Sequence, residues 1–272
     1  MLSHDGKAVH VTVSQGTPLR IFLIRHGETA WSLSGQFTGR ANIPLTTHGE
    51  DEARELGLRI QNIPFTNVFT SPLTRAQQTC ALVSLNATPE IVPDLTEWDN
   101  GDDEGETPAE VLAARPGWNL FRDGSPNGES PADISARADR VIARVRLLKG
   151  NVALFCHSHF GRVFAARWLG LTVENAQQFL FDTASLSVLC YEHDCFDEPA
   201  IALWNSAACA TFAPALSQSE RETRSINRRA IERWDNEGGE QDVPAIFSEE
   251  ALDSSAMNNA IKRLNRTNSG ME

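Results

Sequence analysis

Two short apolar runs, each followed closely by a histidine, constrain this chain more than any other feature. Leu19 to Ile24 and Asn151 to Cys156 are long enough for buried strands and too short for helices. The first runs into Arg25, His26, Gly27, Glu28 and Thr29. The second runs into His157, Ser158 and His159. A strand that ends abruptly in charged residues and glycine fits a site at the carboxyl edge of an α/β sheet.

The pattern between and after these runs alternates. Thr47 to Ile60 carries Ala53, Leu56 and Ile60 at helical spacing, and Pro64 ends it. Asn67 to Thr70 reads as a strand. Ser71 then reads as an N-cap with Pro72 at the first helical position, followed by a helix from Leu73 to about Leu85. Glu90 to Val92 suggests a further strand, and Asp94 to Gly105 an acidic loop. Ser130 and Pro131 start a helix that continues to about Leu148. Another helix spans Gly161 to Leu169, and Ala184 to Tyr191 with Ala200 to Trp204 form a closing hairpin. Strands alternating with helices give an α/β fold with a largely parallel sheet.

Outside this region the chain is polar. Residues 1–18 read as an N-terminal arm, and 19–216 as the catalytic-size domain. Residues 217–272 read as a polar tail, partly helical or disordered, with helical stretches over Arg221–Trp234 and Glu249–Leu264. Ser219 and Glu222 match a capping box. The 272 residues are enough for a sizeable core, and no apolar stretch approaches the ~20 residues of a membrane span. The net charge of −12 argues against nucleic acid, whose phosphates require a basic surface. The same charge opposes an anionic substrate at long range, so local arginines must overcome it. Cys80, Cys156, Cys190, Cys195 and Cys209 show no two-residue gap of a zinc knuckle or redox dithiol. Reduced thiols and the lack of a secretory pattern before Pro18 point to the cytoplasm.

The chemistry sits at the strand ends. A neutral imidazole is a good nucleophile toward phosphorus, and the adjacent Arg25 guanidinium can neutralise a phosphoryl oxygen. Arg75 falls on the first turn of a helix directly after a strand, a position suited to anion recognition. Glu97, in the acidic loop, can give and retrieve a proton. His157 occupies a position equivalent to that of His26.

In order and spacing these pieces resemble the histidine phosphatase, or phosphoglycerate mutase-like, superfamily. The matching segments are Arg25-His26-Gly27-Glu28-Thr29, Phe37-Thr38-Gly39, Leu45-Thr46-x-x-Gly49, Thr70-Ser71-Pro72-x-x-Arg75-Ala76-x-x-Thr79, Leu95-x-Glu97-Trp98 and His157-Ser158-His159. They cover roughly Leu19 to Trp204. The resemblance implies a three-layer α/β/α sandwich and a phosphatase that needs neither metal nor cofactor. It implies that His26 becomes a phosphohistidine, that Arg25, Arg75 and His157 ring the phosphoryl group, and that Glu97 is proton donor and then base.

Finer motifs look like the sedoheptulose-bisphosphatase-like branch: Trp31-Ser32-x-Ser34-Gly35-Gln36-Phe37-Thr38-Gly39, Glu97-Trp98-x-x-Gly101-Asp102-x-Glu104-Gly105, Trp118 to Glu129, and Phe155-x-His157-x-His159-x-x-Arg162. The expected substrates are sugar phosphates or bisphosphates, of the sedoheptulose-1,7- or fructose-1,6-bisphosphate type. Ser32, Gln36, Thr38, Gly39, Ser158, Arg122 and Arg162 are the candidate substrate-binding residues. Phe37 in place of Tyr, Thr96 where relatives often have Arg, and Ser158 in place of Gly leave the sugar open. A phosphoglycerate mutase or a broad phosphomonoesterase of the same fold is the alternative. A metal hydrolase built on His26, His157 and His159 lacks a carboxylate at ligand spacing. The partner implied is a phosphorylated small molecule, with a homo-oligomer plausible only by analogy.

Overall fold

The computed structural model describes residues 17–192 and 198–207. The expected arm before residue 17, the polar tail with its two helices, Cys195 and Cys209 lie outside the described residues.

The first apolar run forms β1 (Arg20–Arg25), and it is buried on both faces. A short helix α1 (Ala30–Ser34) follows, capped by Thr29. Then come α2 (Thr47–Ile60), β2 (Phe65–Thr70), α3 (Thr74–Val83) and β3 (Glu90–Ile91). The acidic loop carries 3-10 turns at Pro93–Leu95 and Gly101–Asp103. Beyond it are α4 (Pro108–Ala114), α5 (Leu120–Asp123) and α6 (Pro131–Val145). The second apolar run is β4 (Asn151–Cys156), followed by α7 (Ser158–Trp168) and a hairpin of β5 (Leu186–Tyr191) and β6 (Pro199–Ser206).

The six strands form one sheet in the order β3-β2-β4-β1-β5-β6. The pairs β3/β2, β2/β4 and β4/β1 are parallel, and β1/β5 and β5/β6 are antiparallel. The three parallel pairs are the largely parallel sheet expected, and the closing hairpin, joining beside β1, adds the antiparallel pairs that make it mixed. Alternation along the central strands makes two cores. Ile21, Leu23, Val152, Leu154 and Cys156 pack with α6 and α7 residues such as Ile142, Val145, Phe160 and Phe164. Phe22, Ile24, Ala153 and Phe155 face the other way, toward Leu56 and Ile60 of α2 and Val83 of α3. Side chains that alternate across a pleated sheet with helices on both faces give the three-layer sandwich.

Two helix starts differ from expectation. Ser71 does not cap α3, whose first residue is Thr74 and whose N-cap is Leu73, without a side-chain cap bond. The Ser71 hydroxyl instead meets the ring of His157 at 2.7 Å and the backbone N–H of Leu73 at 3.2 Å. The last helix starts at Ser158 rather than Gly161. Gly161 sits inside it because a Cβ there would lie 2.3 Å from the ring of Phe181, so close packing rather than helix ending explains the glycine.

Candidate active site

The register of β1 against β4 assembles the site. Arg25 pairs with Cys156, so the next residue on each strand is a histidine. The His26 N–H donates to the Cys156 carbonyl at 3.1 Å, and the two imidazoles stand 5.2 Å apart between ring centroids. Gly27 lets the α2 start pack against this turn, since a Cβ there would meet the Gly49 carbonyl oxygen at 2.3 Å. The Gly27 N–H donates to Thr79 Oγ1 of α3 at 3.0 Å.

The partners of each ring set its tautomer. His26 Nδ1 lies 2.7 Å from the Gly27 carbonyl oxygen. A carbonyl only accepts, so Nδ1 carries the proton and Nε2 keeps the free lone pair. Burial, with Arg75 and Arg25 beside it, holds the His26 pKa well below the ordinary imidazole value, against the pull of the Gly27 carbonyl. The ring is therefore neutral at physiological pH. His157 Nδ1 accepts from Arg75 Nε at 3.1 Å, which leaves Nε2–H to donate to Ser71 Oγ. Burial, Arg75 and His26 likewise depress the His157 pKa.

Four guanidiniums were expected to serve the site, and they differ sharply. Arg25 is half-buried, and one Nη donates to the Phe181 carbonyl. Its Nε is buried with no hydrogen-bond partner among the described residues. Arg75 is fully buried and donates to the carbonyls of Thr38 (3.1 Å), Gly39 (3.0 Å) and Ala41 (2.8 Å) as well as to His157. Burial lowers its pKa to about 10, so it stays cationic at neutral pH. Arg122 is exposed and engaged with Asp123 and the Gly117 carbonyl. Arg162 donates to the carbonyls of Ala176 and Gln177 and lies over the Phe121 ring at 4.6 Å.

Glu97 is buried at the start of α7. Its Oε1 accepts from the N–H groups of Trp98 and Phe160, both at 2.8 Å, and its Oε2 from His159 N–H at 3.0 Å. Two of these donors belong to the first turn of α7, whose N–H groups have no partner within the helix.

A cavity of about 170 Å³ opens among these groups. Arg25, His26 and Glu97 line it, with Ser32, Gln36, Thr38 and Ser158 of the expected binding set. Arg75, His157, Gly39, Arg122 and Arg162 do not. Most polar atoms of Arg75 and His157 are already bonded to protein. Gly39 packs against Asn100 and Trp98, where a Cβ would come within 2.9 Å of backbone atoms. Three of the polar side chains on the wall are partly occupied: Ser32 Oγ closes the capping box with Thr29, Gln36 Nε2 donates to the Gly105 carbonyl, and Thr38 Oγ1 to that of Gln36.

Gly35, Phe37, Pro108 and His159 also line the cavity, and none of them was among the expected binding residues. His159 is wedged between Phe37 (5.9 Å) and Phe121 (5.8 Å), and burial lowers its pKa to about 4. Phe37 and His159 stand inside recognisable motifs. For Pro108 the only signal is the Thr107–Glu110 capping box that starts α4. Among the described residues no three His, Cys, Asp or Glu side chains group so as to hold a metal ion, and no helix is long and apolar enough to cross a membrane.

Comparison with known proteins adds identity to geometry. The model of the histidine phosphatase superfamily (branch 1) matches residues 21–207. A sedoheptulose 1,7-bisphosphatase of Saccharomyces cerevisiae is 33% identical over 248 residues, covering 68% of this chain and 92% of its own. An acid phosphatase of Mycobacterium tuberculosis is 34% identical over 178 residues, covering 64% and 87%. The solved structure of a Mycobacterium tuberculosis open reading frame superposes with a TM-score of 0.65 at 32% identity, covering 70% of this chain and 98% of that one.

Proposed function

The chain belongs to the histidine phosphatase superfamily, and on that premise we propose that it hydrolyses phosphate monoesters of sugar phosphates or bisphosphates through a phosphohistidine on His26. The observation that carries this reading is the His26 ring itself: buried, neutral, held at Nδ1 by the Gly27 carbonyl, with Nε2 free in a cavity that Arg25 and Glu97 also line.

In the first step the Nε2 lone pair forms a bond to phosphorus while the bond from phosphorus to the ester oxygen breaks. The proton of the Glu97 carboxylic acid goes to the departing alkoxide. In the second step water attacks the phosphohistidine, Glu97 takes its proton, and the P–N bond pair returns to Nε2. Negative charge on the equatorial oxygens is met by the Arg25 guanidinium and the backbone N–H of Ser158 at the start of α7, both residues of the cavity wall. Arg75 supplies positive potential near His26 and ties the 38–41 loop to His157.

The sugar class rests on the branch motifs, on the name of the yeast relative and on the polar groups of the cavity wall. Sedoheptulose 1,7- and fructose 1,6-bisphosphate are the first esters to assay. A phosphoglycerate mutase must shield its phosphoenzyme from water. Here Glu97 is followed by Asp99, Asp102, Asp103 and Glu104, with no basic insertion to hold a second phosphate. That favours hydrolysis.

A substrate panel on wild type and His26→Ala, scoring phosphate release and isomer formation separately, tests the proposal. Wild type is expected to release phosphate from sugar bisphosphates and to form an acid-labile phosphoenzyme. His26→Ala is expected to fold and to lose turnover by at least about 10⁴-fold. An active His26→Ala protein ends the mechanism. Isomer without phosphate ends the hydrolase reading.

A further inference from the structure

We infer that Arg137, on the outer layer, is a positioning residue for proton transfer, acting with Glu129 to fix Glu97. The inference rests on the proposed role of Glu97 as proton donor.

Arg137 projects from α6 and does not line the cavity. It makes five hydrogen bonds, matching the five N–H groups of a guanidinium. Nε and one Nη fork onto the two carboxylate oxygens of Glu129, both at 2.7 Å. The others reach the backbone carbonyls of Asp94 (2.8 Å), Thr96 (2.8 Å) and Glu97 itself (3.3 Å). Glu129 holds the other side of the same loop. Its Oε2 accepts from Asp99 N–H at 3.0 Å, its carbonyl from Trp98 Nε1 at 2.9 Å, and its N–H donates to the Asp99 carbonyl at 2.9 Å. The guanidinium also lies 5.3 Å from the ring centre of Phe160, whose N–H is one of the donors to the Glu97 carboxylate. Both the backbone that carries Glu97 and the helix turn that holds its carboxylate therefore pack on one side chain.

The ion pair is largely buried, with side-chain exposures of 12% and 14%. Desolvation makes such a pair a poor source of stability compared with well-packed apolar residues. What it supplies here is a fixed loop: a planar fork spans three carbonyls and a carboxylate in one geometry, which a lysine ammonium cannot reproduce. Proton transfer is the step most sensitive to that geometry, since a misplacement of about 1 Å costs on the order of 10²-fold.

The test uses leaving groups. An alkyl phosphate such as glycerol phosphate needs its alkoxide protonated. 2,4-Dinitrophenyl phosphate does not, and its first-turnover burst reports P–N bond formation alone. For Arg137→Lys, single-turnover cleavage of the alkyl ester is expected to fall about 10²-fold, with KM changed less than about 3-fold. The dinitrophenolate burst rate is expected to stay within about 3-fold of wild type. Glu129→Gln keeps the side-chain volume and is expected to show the same selectivity, about 10-fold on the alkyl ester. If both substrates slow equally in the two variants, or neither slows, the inference is overturned. Glu97→Gln is measured alongside. If it discriminates between the esters and the Arg137 and Glu129 variants do not, only the positioning role fails. If Glu97→Gln itself does not discriminate, the proton-donor reading fails and takes this one with it.

Discussion

His26 and His157 are the residues whose importance was plainest in the sequence, because each ends an apolar run. Their division of labour was not visible there. It depends on which atom each ring nitrogen meets, and the partners come from residues as distant as Ser71 and Arg75. The same holds for the arginines. The sequence sets Arg25 and Arg75 apart from Arg122 and Arg162, yet of the four only Arg25 lines the cavity and keeps a buried N–H without a partner. Gly161 is another residue whose reason lies in packing. Its close neighbour Phe181 is the residue whose carbonyl accepts from Arg25. Gly161→Ala is expected to push that ring aside, costing about 1–3 kcal/mol of stability and about 10-fold in kcat/KM. Denaturant unfolding and steady-state kinetics measure the two effects. Adding Phe181→Leu to make room is expected to recover most of the stability, and a double variant no better than the single would refute the contact.

At the level of elements, the strands and long helices were legible because their periodicity and caps agree. Thr47–Ile60 and Asn151–Cys156 were bounded correctly from sequence. The short helices α1, α4 and α5 were not, since so few residues carry little periodic signal. The start of α3 lies beyond the point its sequence suggests, because a serine that reads as a cap is drawn to a histidine far away in the chain. Ser130 behaves as a cap should: its hydroxyl accepts from Asp133 N–H, and the Asp133 carboxylate returns to the Ser130 N–H. Ser130→Ala is expected to cost about 1 kcal/mol and lower Tm by about 2–4 °C, with Ser130→Thr, which keeps the hydroxyl that donates to Asp133, close to wild type. Calorimetry decides it, and an unchanged Tm for Ser130→Ala would mean the cap contributes nothing.

For the molecule as a whole, His26 and His157 are buried and His159 is half-buried, and all three have lowered pKa values. Each is neutral when folded and gains a proton more readily when unfolded. The unfolded chain therefore binds more protons below about pH 6.5, and stability falls as the solution is acidified through that point. For His159 alone, a fall from 6.5 to about 4 corresponds to roughly 3 kcal/mol, lost progressively down to about pH 4. Urea titrations at pH 7.5 and 4.5 are expected to show a smaller acid loss in His159→Phe than in wild type. Equal losses would show that this ring is not the source.

The bond between the His26 ring and the Gly27 carbonyl also has a stereochemical consequence. An imidazole tethered this way cannot turn over between the two half-reactions, so leaving group and water use the same approach line. Each in-line displacement inverts phosphorus, and two restore its handedness. Thiophosphate released into oxygen-17 water from a phosphorothioate ester chiral in sulfur, oxygen-16 and oxygen-18 is therefore expected to emerge with net retention.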